Sequence, residues 1–248
     1  MSLSGEGERS IRKECTADNS RNRVFAVSDG MGGHKNGELA SCIAAKELCL
    51  FSASDHRRAF KRRRDKFRYI QDFQDMIRRT NKKILEHPEG GSGIEQMGAT
   101  FSGVIFFAGE MVPFHIGDSA VFLWEKGELR KLTEDDAEFY PKAGDGDRAE
   151  RGNRRLTKYL GIPETGGFLT ATVSDPISLR GGQIILVSTD GLTDSLSEEK
   201  IAGILSAHKD NAADAAKVLT DCALADPGGG CDNITAVVVR VRKGRRRL

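Results

Sequence analysis

Along most of the chain the apolar residues fall into short runs closed by glycine or aspartate, and the period of each run assigns its element. Residues 24–28 (VFAVS) are apolar and β-branched up to a turn signal, which predicts a strand. An acidic glycine loop is expected over 29–33 (DGMGG). Its glycines at 30, 32 and 33 permit positive φ, so that carbonyls turn inward beside Asp29. The stretch 37–51 (GELASCIAAKELCLF) reads as a helix with so broad an apolar face that it must pack on a sheet, with Cys42 and Cys49 in the core. A second helical region covers 56–86, with Phe67, Ile70, Phe73, Ile77 and Ile84 pointing inward, and Pro88 followed by EGGSG ends it.

Beyond residue 97 the period shifts towards two. Strands are predicted over 97–108, 111–116, 120–124 and 129–132, and their tight connections indicate an antiparallel sheet. The interval 134–152 is polar and lacks apolar rhythm, as a flap over the domain would, and 154–160 is read as a short helix docking it back. A nearly continuous apolar strand follows at 183–188, then helices over 197–208 and 212–225, then a closing strand over 233–241. Residues 4–23 are polar and are expected to hold one or two short edge strands. Neither an internal repeat nor a dividing linker is present, so 1–248 is read as a single domain.

Composition adds limits. Hydrophobic residues make up 38% and charged residues 30% of the 248, a balance that supports a real core. With 38 Lys+Arg against 36 Asp+Glu, the whole chain offers no field for gripping a nucleic-acid backbone. Positive charge is confined to 57–68 (RRAFKRRRDKFR) and to a basic tail over 242–248, read as a solvated helix face and a frayed terminus. The five cysteines include no C-x-x-C pair, which points away from a zinc site or disulfide framework and towards a reducing, cytoplasmic setting. No apolar run approaches the ~18 residues of a membrane span.

The chemistry lies in the acids. Asp29, Asp118, Asp190 and Asp232 each sit at a predicted strand end within two residues of a glycine. One such aspartate is ordinary turn chemistry. Four, on strands that must neighbour one another, form a cluster whose mutual repulsion divalent cations would relieve. Two ions ~4 Å apart, bridged by one carboxylate, make a device that activates water and orients a phosphoryl group. Oxygen ligands of this kind suit Mn2+ or Mg2+. The histidines show no H-x-x-x-H spacing, and a G-x-x-x-x-G-K-[ST] phosphate loop is lacking.

Seven segments in order carry a family resemblance: FAVSDGMGGHKNGELAS, MGATFSG, HIGDSAVFLW, LTEDD, RRLTKYLG, IILVSTDGLTDSL and DNITAVVV. Together they resemble the metal-dependent protein phosphatases of type 2C, in the DGMGG form of bacterial members. The resemblance implies an α+β fold, a four-layer αββα sandwich with two antiparallel sheets flanked by helix pairs. It further implies hydrolysis of phosphoserine and phosphothreonine by a hydroxide activated on two Mn2+ or Mg2+ ions, without a phosphoenzyme. Carried over, Asp29, Asp190 and Asp232 are the candidate catalytic residues. Asp29 bridges both ions, the Gly30 carbonyl binds the first, Asp190 and Asp232 bind the second, and Asp118 helps hold a third. The partner implied is a phosphorylated protein, opposing a Ser/Thr kinase, with the phosphatase acting as a monomer.

The sequence departs from the family mainly upstream. The signature R-x-x-N-E-D meets SIRKECTAD at residues 10–18. Placing Asp18 at the signature Asp, as support for the metal site, puts Lys13 at the phosphate-gripping Arg position, whereas a shift of one restores Arg12. A lysine supplies charge without the bidentate fork of arginine. GDSR becomes GDSA with Ala120, and Gln183 replaces an aspartate. The alternative reading is therefore a pseudophosphatase or regulatory binding module on the same fold.

Overall fold

The computed structural model describes residues 14–19, 24–31, 34–53, 63–88, 97–107, 109–140, 153–164, 167–226 and 232–242. Two antiparallel sheets face one another. The first contains β1 (Glu14–Asn19), β2 (Val24–Met31), β4 (Ser102–Phe107), β5 (Glu110–His115) and β10 (Thr172–Val173) in that order. Here β3 (Gly98–Ala99) pairs with the end of β2, and β11 (Ile177–Ser178) pairs with β5. The second sheet has the order β13 (Ala236–Arg240), β12 (Ile184–Ser188), β6 (Ala120–Glu125) and β7 (Glu128–Lys131). A separate two-stranded ribbon joins β8 (Ala137–Tyr140) to β9 (Asn153–Leu156).

Alternation along these strands builds the layers. On β6, Val121 and Leu123 face the first sheet, while Phe122 and Trp124 face the opposite way. On β12, Ile185 and Val187 join the inter-sheet core with Val27, Val104 and Met111, and Ile184 and Leu186 turn outward. Those outward residues are covered by α3 (Asp190–Ser195), α4 (Glu198–Ala207) and α5 (Ala212–Leu224), through Leu192, Ile201, Leu205, Ala215 and Leu219. On the far side, α1 (His34–Ala53) and α2 (Arg63–Leu85) cover Val24, Ala26, Ile105 and Phe114. Helix, sheet, sheet, helix: the four expected layers are present.

The helices stand where their apolar faces require. In α2, Tyr69, Phe73, Met76, Ile77, Thr80 and Ile84 follow one face at three- and four-residue steps and are buried, with Phe73 set 4.7 Å from Phe114 between ring centroids. Ser197 caps α4 by accepting from Lys200 N, and Asn211 caps α5 by accepting from Ala213 N and Asp214 N.

Several expectations change. Phe67, read as inward, is 69% exposed, because it falls outside the Tyr69–Phe73–Ile77 stripe. Cys42 and Cys49 are exposed, since α1 turns Ala40, Ala44, Leu48 and Phe51 to the sheet instead. The predicted strand over 97–108 is broken at Thr100 and Phe101. The predicted short helix over 154–160 is strand β9 at its start: pairing with β8, a non-local partner, overrides a weak local preference. Helix α3 and strands β10 and β11 were not foreseen. The polar interval 134–152 contains β8, and its residues 141–152 lie outside the described set, as do 57–62 of the basic stretch and 243–248 of the tail.

Candidate metal centre

Asp29 lies in β2, near the edge of the first sheet, rather than in a loop. Strand β2 continues to Met31 because β3 pairs with it, Gly30 against Ala99 and Met31 against Gly98. Gly30 therefore keeps an extended conformation and is not among the positive-φ glycines, contrary to the loop expected there. Its carbonyl faces α1. A Cβ added to Gly37 would meet the Gly30 oxygen at 2.6 Å, so α1 approaches this carbonyl as closely as only glycine permits.

The backbone of Asp29 is clamped from both sides by Thr100, in the break between β3 and β4. Asp29 N donates to Thr100 Oγ1 at 2.9 Å, and Thr100 N donates to the Asp29 carbonyl at 2.8 Å. Ser28 Oγ donates to the Thr100 carbonyl at 2.7 Å, and Thr100 Oγ1 shares a 2.7 Å hydrogen bond with Ser119 Oγ. All three hydroxyl residues are buried, and each is a polar position within an apolar run. That signal was legible in the sequence, yet none of the three was singled out from it.

The second sheet supplies the other acids. Strand β12 ends at Ser188, Thr189 follows, and Asp190 opens α3, where a carboxylate suits the helix dipole. Asp232 precedes β13, antiparallel to β12. Thr189 stitches the two ends together: its N donates to the Thr235 carbonyl at 3.2 Å and its Oγ1 accepts from Thr235 N at 3.1 Å. Gly191 allows the remaining approach, because a Cβ there would sit 2.2 Å from the Asn233 carbonyl oxygen. Face-to-face packing of the sheets then brings one carboxylate oxygen each from Asp29, Asp190 and Asp232 within 4.8 Å of one another.

Asp118 is also buried, 7% exposed, in the turn between β5 and β6, but it is not one of these three converging acids. Near it in sequence, His115 is 4% exposed, with Nε2 3.9 Å from Asp136 Oδ2 and Nδ1 without a hydrogen-bond partner among the described residues. Burial pushes the His115 pKa below its ordinary value, and the Asp136 charge offsets part of that push.

Upstream, strand register sets where the candidate acids stand along β1. Strand β1 pairs with β2 so that Glu14 stands opposite Asp29 and Asp18 opposite Phe25. Asp18, expected to support the centre, is thus four residues down the strand, about 13 Å at ordinary strand rise. The acid opposite Asp29 in register is Glu14, which the motif alignment passed over. Arg12 and Lys13, the two candidates for gripping phosphate, lie outside the described residues.

The donors fit a hard cation: among the described residues the cluster offers three carboxylate oxygens and neither sulfur nor imidazole, with the Gly30 carbonyl one residue from Asp29. Comparison with known proteins follows the same line. A family model described as Protein phosphatase 2C matches residues 13–226. The serine/threonine protein phosphatase PstP of Mycobacterium tuberculosis is 29% identical over 220 residues, which are 88% of this chain and 40% of that protein. The chain thus spans less than half the length of that relative. The serine/threonine phosphatase stp of Listeria monocytogenes is 27% identical over 234 residues, covering 90% of this chain and 87% of its own. Among solved structures, M. tuberculosis PstP/Ppp superposes with a TM-score of 0.72 at 25% identity, over 95% of this chain and 94% of that one. The PstP catalytic domain, solved in complex with two manganese ions, superposes at 0.70 with 27% identity, again over 95% and 94%. A match running through most of the chain, on a sandwich whose two sheets bring three aspartates together, leaves one assignment: the chain belongs to the protein phosphatase 2C family.

Proposed function

We propose that this chain is a metal-dependent protein serine/threonine phosphatase, hydrolysing phosphoserine and phosphothreonine with two Mn2+ or Mg2+ ions. The observation that carries the reading is the convergence of Asp29, Asp190 and Asp232 within 4.8 Å. Three carboxylates so close repel one another, each pair by about 3 kcal/mol at an effective dielectric constant near 20 before solvent screening. They would equally repel a phosphate dianion, so the centre makes chemical sense only with cations in it. When bound, such ions supply Lewis-acid charge to a phosphoryl group and lower the pKa of water.

The residues have distinct tasks in this reading. Asp29, at the end of β2, converges with Asp190 and Asp232 at the ends of the second sheet's strands, and in this reading it contributes to both ions. The Gly30 carbonyl adds a neutral oxygen to the first, and Asp118 serves a third, looser ion. Arg12 or Lys13 grips the phosphate, while Glu14, opposite Asp29 by strand register, takes the supporting role first given to Asp18. The substrate is a phosphorylated protein, the opposing enzyme a Ser/Thr kinase, and the acting species a monomer. No described helix is long and apolar enough to cross a membrane. A cytoplasmic setting rests on the cysteine pattern alone.

The test is phosphate release from p-nitrophenyl phosphate and from a phosphothreonine peptide, with Mn2+ titrated against a chelator. Activity should appear with Mn2+ and vanish in Asp29→Asn. Hydrolysis that ignores the metal or survives that substitution overturns the reading, and Mn2+ binding without turnover would favour a pseudophosphatase.

A further inference from the structure

The polar stretch after β7 holds a contact that neither the alignment of acids nor the proposed chemistry uses. Asp136 is the last residue before β8, and it grips the peptide of Gly117 on both sides. Its Oδ2 accepts from Gly117 N at 3.0 Å, and its own N donates to the Gly117 carbonyl at 3.0 Å. Its carbonyl meanwhile accepts from Thr157 N at 2.8 Å, and Thr157 is the first residue after β9. Both roots of the β8–β9 ribbon therefore converge on one residue, and that residue holds the turn carrying Asp118. Gly117 itself sits at φ +94°, packed against the Thr100 side chain, so the turn has little freedom to follow if the grip is released.

The grip continues inward. Ser119, two residues past Gly117, shares its hydroxyl hydrogen bond with Thr100, and Thr100 holds Asp29. On the other root, Leu160 exchanges backbone hydrogen bonds of 2.9 and 2.8 Å with Ala99, the partner of Gly30 in β3. Past Leu160, Gly161 N donates to the buried Asn81 Oδ1 of α2 at 2.7 Å. The ribbon base is thus bonded to both sides of the aspartate centre. Of these ties, the Asp136 carboxylate is the side-chain bond that joins a ribbon root directly to the turn carrying Asp118.

We propose that Asp136 is a positioning residue, whose carboxylate makes the β8–β9 ribbon and the Asp118 turn one rigid body beside the metal centre. Its substrate consequence rests on the phosphatase reading. A ribbon whose roots bond beside Asp118 on one side and to the partner of Gly30 on the other would flank a chain that presents its phosphate at the centre. Fixing it favours a phosphorylated polypeptide, with residues on either side of the phosphoryl group, over a small phosphoester that reaches only the centre.

Two measurements test this. In native-state hydrogen exchange, Asp136→Ala should speed exchange at Gly117 and through β8 and β9 together, by roughly tenfold, the equivalent of one charged hydrogen bond. Asp136→Asn, which keeps an acceptor oxygen, should stay near wild type. In kinetics, the ratio of kcat/KM for a phosphothreonine peptide to that for p-nitrophenyl phosphate should fall roughly tenfold in Asp136→Ala, mainly through the peptide KM, and recover in Asp136→Asn. Ribbon amides that stay protected in Asp136→Ala overturn the proposal, as does equal loss on both substrates in step with a lower Tm. A wild-type protein that hydrolyses neither substrate refutes the phosphatase reading instead, and the exchange data then decide the grip by themselves.

Discussion

Gly37→Ala sets two effects of known size against each other. In a helix, alanine in place of glycine is favourable by about 1 kcal/mol. At Gly37 the new methyl would meet the Gly30 carbonyl oxygen at 2.6 Å and its carbon at 2.7 Å. Both are well inside the roughly 3.5–4.0 Å of favourable non-bonded contact, and the obstacle is backbone on a paired strand. Either α1 or the Gly30 peptide must give by on the order of 0.5 Å, at an overpacking cost of about 1–3 kcal/mol. The net is a destabilisation of about 1 kcal/mol, a few degrees in Tm for a chain of this size. Because the displaced atom is the candidate metal-binding carbonyl, the half-saturating Mn2+ concentration should rise at least about tenfold, as when a neighbour that orients a ligand is lost. The control is Gly203→Ala in α4, where an added Cβ meets nothing within 4 Å. It should stabilise by about 1 kcal/mol and leave metal dependence alone. Urea unfolding and a Mn2+ titration by calorimetry read both variants. If Gly37→Ala stabilises like Gly203→Ala and binds Mn2+ as wild type, the close approach of α1 to the Gly30 carbonyl is wrong.

Three further outcomes are expected. Glu14→Gln should lower Mn2+ affinity or kcat about tenfold, whereas Asp18→Asn, about 13 Å along the strand and beyond a Debye length, should change either by less than about twofold; the reverse order would mean the β1 register is misassigned. Thr100→Val strips the acceptor from Asp29 N and the partner from Ser119 Oγ, so it should cost roughly 2–4 kcal/mol in urea unfolding, with Thr100→Ser recovering most of it; equal losses in the two variants would point to packing instead. His115, its pKa held below the ordinary 6.5 by burial, binds its proton less readily folded than unfolded. Its share of stability is intact above pH 6.5 and lost as pH falls from there towards the folded value. His115→Gln should flatten the stability profile between about pH 5 and 6.5, and an unchanged slope would remove the residue from the account.

Much of the plan could be read before any fold was known, and for local reasons. Apolar runs closed by turn signals over 120–124 and 183–188 announced strands, and aspartates beside glycines at strand ends marked the candidate centre. What escaped had a non-local cause. The segment 154–160 carries no apolar period of its own, so its strand character depends on β8, an element the same local reading could not see. Asp29 belongs to a strand rather than a loop because β1 pairs with it at Glu14 and β3, about 70 positions away, extends the strand past it through Gly30 and Met31, beside the hydrogen bond to Thr100. The exposed faces of α1 and α2 were misjudged at Cys42, Cys49 and Phe67 because a broad apolar stripe leaves its rotation to the partner surface.

The amino-acid sequence alone determines most of the element types and the set of acids from which a metal centre is built, while the two-sheet arrangement was implied by its resemblance to a known family. Hydrophobic period and turn chemistry are written residue by residue, and they require no knowledge of what lies opposite. Tertiary structure decided which acids meet. Asp29, Asp190 and Asp232 converge because two separate sheets pack face to face, whereas Asp118 stands apart in its turn, held by Asp136. It also decided that Glu14 rather than Asp18 stands across from Asp29. A polar edge strand carries little alternation to specify its own register, and a slip of a few residues becomes visible only once the partner strand is in place.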